Sequence, residues 1–305
     1  MGRKTHPRIE SLKGRLIAGL LRLLALLPLP VAHSVANVLG WLLWWLPNPM
    51  RQVTRTNLEI CFPHCSRRRR ARLARRSLQE TLKAAMDMAH AWHRPARMIE
   101  RIRTGPGAHQ AFREALEEGQ PVLLLAPHLG FWEGANLWFG HHHEVHALYM
   151  PSPLPAVDRL VRSGREHFNS HLYPATSRGV ASLVRALRSG GHIAGVLPDQ
   201  VPARNAGEFA PFFGRPAATM TLATRLLQRS GARAFMVFAR RRPGSCDFEL
   251  ILRHPHPDIH DADPQRSLTA LNTSIEALVM EAPEQYLWSY RRFRRRPEGT
   301  PNPYR

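Results

Sequence analysis

The chain has 305 residues, of which 44% are hydrophobic, and its 43 Lys and Arg against 23 Asp and Glu give a formal net charge of +20. A chain of this length is enough for one large α/β domain with a helical extension. Three cysteines exclude a disulfide framework, and Cys61 and Cys65 lack the second pair that structural zinc requires. The positive charge favours an anionic partner, whether nucleic acid, acidic membrane or acidic protein.

Residues 1–50 are predicted to be a membrane-anchoring or interfacial segment. Basic residues precede two apolar stretches, at 16–27 and 35–46, each shorter than the roughly 20 residues of a simple membrane span. The second stretch carries three tryptophans, which favour the lipid interface. The positive flank predicts that the basic end lies in the cytoplasm. The alternative is a pair of buried core helices.

Residues 51–298 are predicted to form the catalytic domain, and 299–305 a tail. After a connector at 51–66, residue periodicity predicts the following elements in chain order: helices at 66–92 and 108–118, a strand at 121–126, a helix at 131–140, a strand at 145–150, helices at 155–169 and 179–189, a strand at 192–197, a helix at 217–230, strands at 234–240 and 247–253, and a helix at 267–281. Their alternation predicts an α/β fold, with a mixed, largely parallel central sheet, helices on both faces and an N-terminal helical membrane-associated segment.

The turn after the strand at 121–126 carries the first candidate site. His128 follows that strand, and Glu133 lies five residues later in the next helix. Ligands of open α/β sheets bind beyond the carboxyl ends of strands. We therefore expect Glu133 to accept the Nδ1–H of the imidazole, leaving Nε2 free as a base. The alternative is a histidine that satisfies a backbone group and a glutamate favoured by the helix dipole.

Two further segments could belong to the same site. Asp199 and Gln200 follow the strand at 192–197, so Asp199 could share a cleft with His128 or serve only as a turn residue. The aromatic segment 209–216 could line an alkyl channel or pack as a lid over the core.

Two histidine clusters and a basic cluster have simpler interpretations. The histidines at 141–146 point in different directions and lack a third ligand, and those at 254–263 alternate like an edge strand and loop, so we expect no metal at either. The arginines at 291–296 are predicted to be a solvated tail or, with interleaved aromatics, a phosphate or headgroup site. No motif for nucleic acid is present in the sequence, so nucleic acid is not an expected partner.

Taken together, these motifs resemble the bacterial lipid A biosynthesis acyltransferases, within the glycerolipid acyltransferase superfamily. The resemblance is carried by an ordered set of segments: Asn57-Leu-Glu-Ile-Cys-Phe-Pro63, the His-x4-Glu motif His128-Leu-Gly-Phe-Trp-Glu133, Asp199-Gln200, Pro211-Phe-Phe-Gly214 with Pro216-Ala217, Glu276, Pro283-Glu-Gln-Tyr-Leu-Trp288 and Arg291-Arg-Phe293. They span roughly residues 15–298.

The resemblance implies an inner-membrane enzyme that transfers a fatty acyl group from acyl carrier protein to a hydroxyl of a phosphorylated lipid A precursor. His128 would deprotonate that hydroxyl, and Glu133 would orient the imidazole. Arg165 would serve the oxyanion or a phosphate, and Asp199 and Gln200 would support the substrate. No metal or bound cofactor is implied.

Two positions depart from the family pattern: Ser289 replaces a frequent histidine, and Arg294 a frequent lysine. Because of these departures the identity of the acceptor lipid is not fixed by the resemblance, and a lysophospholipid or a polyene lipid is the alternative acceptor. The glycerolipid branch typically carries Phe-Pro-Glu-Gly-Thr-Arg near its site, whereas Pro297-Glu-Gly-Thr300 lies here in the tail. An alternative of another class is a non-catalytic basic binder of membranes or nucleic acid.

Overall fold

The computed structural model of the protein describes residues 7–105, 107, 109–189 and 192–304. Arg3 and Lys4, two of the basic residues ahead of the first apolar stretch, lie outside these ranges. Ala108, the first residue of the predicted helix 108–118, also lies outside them. The helices are α1 (Pro7–Leu26), α2 (Leu29–Trp45), α3 (Pro49–Cys61), α4 (Arg67–His93), α5 (Pro95–Ile99), α6 (His109–Glu117), α7 (Trp132–His142), α8 (Pro155–Arg165), α9 (Ser177–Arg188), α10 (Leu222–Ser230) and α11 (Pro264–Glu281). The strands are β1 (Ile102–Thr104), β2 (Val122–Leu125), β3 (Val145–Tyr149), β4 (Ser170–Pro174), β5 (Ile193–Val196), β6 (Gly207–Phe212), β7 (Arg215–Met220), β8 (Arg233–Arg241) and β9 (Phe248–Arg253).

Seven of these strands form the central sheet, in the order β1-β9-β8-β2-β5-β3-β4. All neighbouring pairs are parallel except β8 and β9, which are antiparallel. The predicted α/β fold with a mixed, largely parallel sheet is therefore confirmed. The remaining strands, β6 and β7, form a separate antiparallel hairpin.

Both faces of the sheet are covered, because successive side chains of a strand point to opposite faces. On β2, Leu123 and Leu125 pack in a core with residues of α9, α10 and α11. Val122 and Leu124 pack in a second core with residues of α5, α6 and α7. Strands buried on both faces show continuous apolar runs, and this explains the run that precedes His128.

Helices α1 and α2 combine a packed side with an exposed apolar side. Gly40 of α2 lies so close to α4 that an added Cβ would be 2.6 Å from the Cα of Gln79. The opposite side exposes large apolar residues: Leu16, Leu20, Leu23 and Leu26 on α1, and Val38, Trp41, Leu42 and Trp45 on α2. We call this set the apolar face of α1 and α2. Its exposure argues against the alternative of two buried core helices.

Among the described residues, no single helix is both long and apolar enough to cross a bilayer, whereas 12–26 and 29–45 meet that criterion as a pair bent by 119°.

The sequence prediction was wrong in two places and incomplete in four. The predicted connector 51–66 is largely helix α3, and 217–220, predicted to begin a helix, form the end of strand β7. The short elements α5, β1, β4 and β6 were not predicted.

Candidate active site

The turn between β2 and α7 presents His128 at the carboxyl end of the sheet. Gly130 adopts a φ of 62°, and a Cβ there would lie 2.3 Å from the carbonyl oxygen of Ala239. Only glycine fits this left-handed conformation and close approach without strain. The turn is tied to β8 by Phe131, whose backbone N–H donates to Ala239 at 2.8 Å. The segment that follows α11 closes the other side, because the N–H of Leu287 donates to the carbonyl of His128 at 3.1 Å.

The register of the sheet brings Asp199 to His128. Strands β2 and β5 are parallel neighbours, and Leu125 pairs with Val196. His128 and Asp199 each follow three residues after that pair. The ring Nδ1 of His128 lies 2.8 Å from Oδ1 of Asp199, and the backbone N–H of His128 donates to Oδ2 at 3.0 Å. One carboxylate therefore fixes both the backbone and the ring of His128.

Asp199 is buried, with 3% of its surface exposed. Burial alone would raise the pKa of its carboxyl group, but the charge of His128 and the two hydrogen bonds from that residue outweigh burial and hold the pKa below its usual value. The ionised carboxylate accepts the Nδ1–H, so the lone pair of the neutral ring lies on Nε2. The buried phenol of Tyr286 also interacts with Asp199, and burial followed by this negative charge raises its pKa well above the usual value.

The second ring nitrogen, Nε2, is the one that Asp199 does not bind. The side-chain amide of Gln200 lies 3.1 Å from Nε2 and can donate to it. The His128 side chain is 14% exposed, and the ring of Trp132 packs beside it with centroids 5.2 Å apart. A cavity of about 10 Å³ below the ring is bounded by Asp199, Gln200 and Tyr286. This volume is close to that of a single water site.

Glu133 does not make the contact predicted for it. Both of its carboxylate oxygens accept hydrogen bonds from the guanidinium of Arg165, at 3.1 and 2.9 Å from Nε, with a shorter contact from the second nitrogen. The prediction that Glu133 accepts the Nδ1–H of His128 is wrong, because Asp199 occupies that position. The spacing of His128 and Glu133 spans a turn and the start of α7, which points the two side chains in different directions.

The Arg165 guanidinium is correspondingly committed to a carboxylate. It lies at the end of α8, and burial would lower its pKa, but the charge and hydrogen bonds of Glu133 raise it above its usual value. Glu133 stands in the first turn of α7, where a negative charge is also favoured by the helix dipole. The pair therefore fastens the amino end of α7 to the carboxyl end of α8.

Sequence reasoning did not identify the segment that walls the site on its carboxyl-terminal side. Asn57 of α3 is buried and donates to the carbonyls of Trp288 and Tyr290, both at 2.7 Å. The hydroxyl of Tyr290 accepts from the N–H of Val201, directly after Gln200. Asn57 belongs to a motif quoted above for the family resemblance, and that resemblance was the only signal for it.

Two predictions about flanking segments change in the structure. Arg292, predicted within a solvated or headgroup-binding cluster, is only 3% exposed and donates to the carbonyl of Ala218 at 2.7 Å. The aromatic segment 209–216 is the β6–β7 hairpin, in which Phe212 is fully buried and packs near Tyr286. For Phe212 the packed alternative is therefore the observed one.

Asp199 orients the imidazole of His128 through Nδ1, and the other ring nitrogen, Nε2, faces the side-chain amide of Gln200. Such an imidazole can remove a proton from a hydroxyl and return it to a leaving group. Deep burial of the partner carboxylate keeps water away from the Nδ1 hydrogen bond and preserves its orientation.

Comparison with known proteins identifies the family. The sequence model of the bacterial lipid A biosynthesis acyltransferases matches residues 3–295. The chain is 29% identical to the lipid A biosynthesis lauroyltransferase of Escherichia coli over 94% of this chain and 92% of that protein. It is 26% identical to the palmitoleoyltransferase of the same organism, over 94% and 92%, and 25% identical to its myristoyltransferase, over 92% and 87%. The chain therefore belongs to the bacterial lipid A biosynthesis acyltransferase family, and it is an acyltransferase.

Proposed function

We propose that the protein transfers a fatty acyl chain from acyl carrier protein to a hydroxyl of a phosphorylated lipid A precursor. The reaction takes place at the inner membrane, with the catalytic domain at 51–298 facing the cytoplasm. This secondary acylation needs a base for the hydroxyl and no bound cofactor. The observation that carries the proposal is the hydrogen bond between the His128 ring and Asp199, which orients the ring so that its other nitrogen, Nε2, can act as the base at the carboxyl ends of the strands.

The chemistry follows from that hydrogen bond. Nε2 of His128 takes the proton of the acceptor hydroxyl as its oxygen attacks the thioester carbonyl. The tetrahedral intermediate collapses by breaking the carbon–sulfur bond, and the imidazolium returns the proton to the departing thiolate. Asp199 stays ionised and stabilises the imidazolium between the two steps. The products are an ester and the free thiol of the carrier protein, with no net proton change.

The oxyanion of the intermediate needs hydrogen-bond donors. The Gln200 amide is 3.1 Å from Nε2, so once the acceptor hydroxyl occupies Nε2 the amide is free to donate to the adjacent carbonyl oxygen of the thioester. Arg165 was predicted for the oxyanion or a phosphate, and its pairing with Glu133 supports instead a role in positioning the turn that carries His128. We therefore assign Gln200 to the substrate and Glu133 with Arg165 to positioning.

The N-terminal helices and the basic residues near them offer surfaces that suit the lipid and the acidic carrier protein. The apolar face of α1 and α2 is suited to lie in a lipid interface, where tryptophan is favoured. A cavity of about 690 Å³ is lined by Trp44 of α2 and by the charged residues Arg55, Arg67, Arg70 and Glu59. Arginine forks bind phosphate well, and acidic carrier proteins are attracted by the same charge. The excess of arginine in this cavity supports binding of an anionic group there.

The decisive experiment replaces His128 with alanine. We expect thioester-dependent acylation of the lipid to fall by roughly 10²- to 10⁴-fold, because general-base catalysis contributes about that much. Purified protein in detergent is assayed with acyl carrier protein thioesters and a lipid A precursor, by mass spectrometry of the lipid. His64→Ala, at an exposed histidine of a loop, is the matched control and should keep full activity. Undiminished acylation by His128→Ala would remove this residue from the mechanism.

The acceptor is tested separately in cells. We expect lipid A from cells that lack the protein to miss one secondary acyl chain, and the wild-type gene, but not His128→Ala, to restore it. An unchanged lipid A profile together with intact thioester hydrolysis in vitro would instead favour a lysophospholipid or a polyene lipid as acceptor. Lipid binding without any thioester consumption by the wild type would favour the non-catalytic binder.

A further inference from the structure

A cluster of histidines lies at the amino ends of the strands, whereas the candidate active site lies at their carboxyl ends. It is formed where three neighbouring parallel strands begin. Glu144 precedes β3 and His146 lies within it, while His192 directly precedes β5 and His171 lies in β4. The register pairs His146 with His171. His128 and Asp199 lie beyond the carboxyl ends of the strands, so the two groups are separated by the length of the sheet.

The ligand atoms of Glu144, His146 and His192 all lie within 4.8 Å of one another. The ring of His146 stands edge-on to that of His192, with centroids 5.2 Å apart. Nε2 of His146 is 3.5 Å from Oε1 of Glu144. Ligand atoms on a tetrahedral zinc ion are about 3.3 Å apart, given metal–nitrogen bonds of about 2.0–2.1 Å. Small side-chain movements therefore suffice to close the site.

His146 supplies a second, independent indication of a ligand. The residue is 6% exposed, and its buried Nε2 atom makes no hydrogen bond to any described residue, because the Glu144 oxygen at 3.5 Å is an ion-pair contact only. Buried polar atoms are rarely left without a hydrogen bond. The other ring nitrogen, Nδ1, lies 3.1 Å from the hydroxyl of Tyr173. A partner on one nitrogen orients the other toward a metal, as in many zinc sites.

The donor set of the cluster agrees with metal binding. Glu144 also meets Nε2 of His171 at 3.1 Å, which holds its carboxylate in the cluster. Imidazole with a carboxylate suits Zn²⁺, whereas Ca²⁺ and Mg²⁺ take oxygen ligands.

We propose that Glu144, His146 and His192 bind one Zn²⁺ ion. The ion joins the beginnings of β3 and β5 and completes the hydrogen-bonding needs of the buried His146. At residues 141–146 the sequence predicted no metal because a third ligand was missing. That ligand comes from His192, which the parallel pairing of Val145 with Ile193 brings alongside. Three protein ligands leave the fourth tetrahedral position of the ion to water, and the site takes no part in acyl transfer because it lies away from His128.

The test is a zinc titration of tag-free protein in detergent after treatment with a chelator. We expect one Zn²⁺ per chain by calorimetry and by elemental analysis after dialysis, and a higher melting temperature with zinc. His146→Gln and His192→Gln should each weaken binding by about 100-fold or more, because the loss of even an outer partner costs about 10- to 100-fold. Tyr173→Phe should cost about 10-fold. His142→Ala, at an exposed histidine outside the cluster, should bind zinc like the wild type.

Should His146→Gln fail to fold, the exposed Glu144→Gln and the His192→Gln variant carry the same test. Cobalt provides a spectroscopic check, since tetrahedral Co²⁺ bound at the site gives visible absorption bands that His192→Gln should lose. The proposal is overturned by less than one zinc per chain at saturation. It is equally overturned if His146→Gln and His192→Gln bind zinc as the wild type does, since the metal is then an adventitious surface ion only.

Discussion

Two buried carboxylates are close to His128, Asp199 in the fold and Glu133 in the sequence, and the structure gives them different partners. Asp199, in the turn after β5, binds the ring and backbone of His128. Glu133, in the first turn of α7, binds the guanidinium of Arg165. Both are almost inaccessible to solvent. The first partner is an imidazole, a group that can act as an acid or a base, whereas the second is a guanidinium, which keeps its charge.

This difference separates a proton-transfer unit from a structural one. A carboxylate beside an imidazole decides which ring nitrogen carries the proton. A carboxylate beside an arginine neutralises a permanent charge and holds two helices together. Proximity of Glu133 to His128 in the sequence suggested the first role for it, and the contacts support the second. Mutations at the two positions should therefore alter different measured quantities.

The largest effect is expected for Asp199→Asn. The amide keeps the shape of the side chain but can hold the imidazole in the wrong tautomer, so kcat should fall by roughly 10²- to 10⁴-fold. KM for the carrier thioester should change little, because Asp199 does not reach the substrate. Steady-state kinetics with the purified enzyme give both values.

Glu133→Gln is the matched comparison for Asp199→Asn, with the same change of charge and size. If Glu133→Gln lowered kcat as strongly while leaving the folded state intact, the division between the two carboxylates would be wrong. Melting curves of both variants, recorded beside the kinetics, distinguish loss of catalysis from loss of fold.

Glu133→Gln itself should mainly reduce stability. It leaves the Arg165 charge, with only 23% of that side chain exposed, without a carboxylate. Breaking a buried pair from one side costs about 3–5 kcal/mol, and partial exposure of Arg165 favours the lower end, about 3 kcal/mol in the free energy of unfolding. Chemical denaturation of the two proteins in the same detergent measures this difference.

A double variant sharpens that result. Glu133→Gln combined with Arg165→Gln removes both charges, so it should recover part of the stability lost in Glu133→Gln alone. Additive losses in the double variant would show that the pair contributes no coupling. Arg162, which pairs with Glu166 at the surface, offers the control: Arg162→Gln should change stability by less than about 1 kcal/mol.

The sequence was informative about the elements that carry the site. The apolar run of β2, the turn after it and the strand end before Asp199 were predicted, and so was a site beyond the carboxyl ends of the strands. The pairing of His128 with Asp199 depends on the register of β2 against β5, which joins residues 71 positions apart. Residue spacing within one segment holds no information on that register. Glu133, which is nearer in the sequence, was therefore predicted as the carboxylate partner of His128.

The missed elements have equally specific causes. The buried side of α3 carries the polar residues Thr54 and Asn57 beside apolar ones. The 3.6-residue hydrophobic period of a helix was therefore not visible in the sequence. Residues 217–220 are compatible with a helix by composition. They form a strand because the turn at Phe213 and Gly214, both with positive φ, folds them back onto β6.

The pH dependence of stability should distinguish Asp199 from its amide. Its pKa is lower in the folded protein than the usual value of about 3.9, so the ionised form stabilises the fold. That contribution is present above about pH 4 and is lost as the pH falls through the folded-state pKa. The stability difference between wild type and Asp199→Asn should therefore shrink on acidification below about pH 4. Denaturation curves at several pH values test this, and a difference that grows in acid would contradict it.

The smallest effect is expected for Gln200→Ala, in the same turn as Asp199 but on the other side of the imidazole. A neutral hydrogen bond contributes about 0.5–1.5 kcal/mol, so loss of the amide from the thioester carbonyl oxygen should lower kcat by about 2- to 10-fold. Stability should be nearly unchanged, because Asp199 still holds the ring through Nδ1. A rise in kcat would show that the amide competes with the acceptor hydroxyl for Nε2. Gln200 would then be a residue that the substrate displaces, and the oxyanion would need another donor.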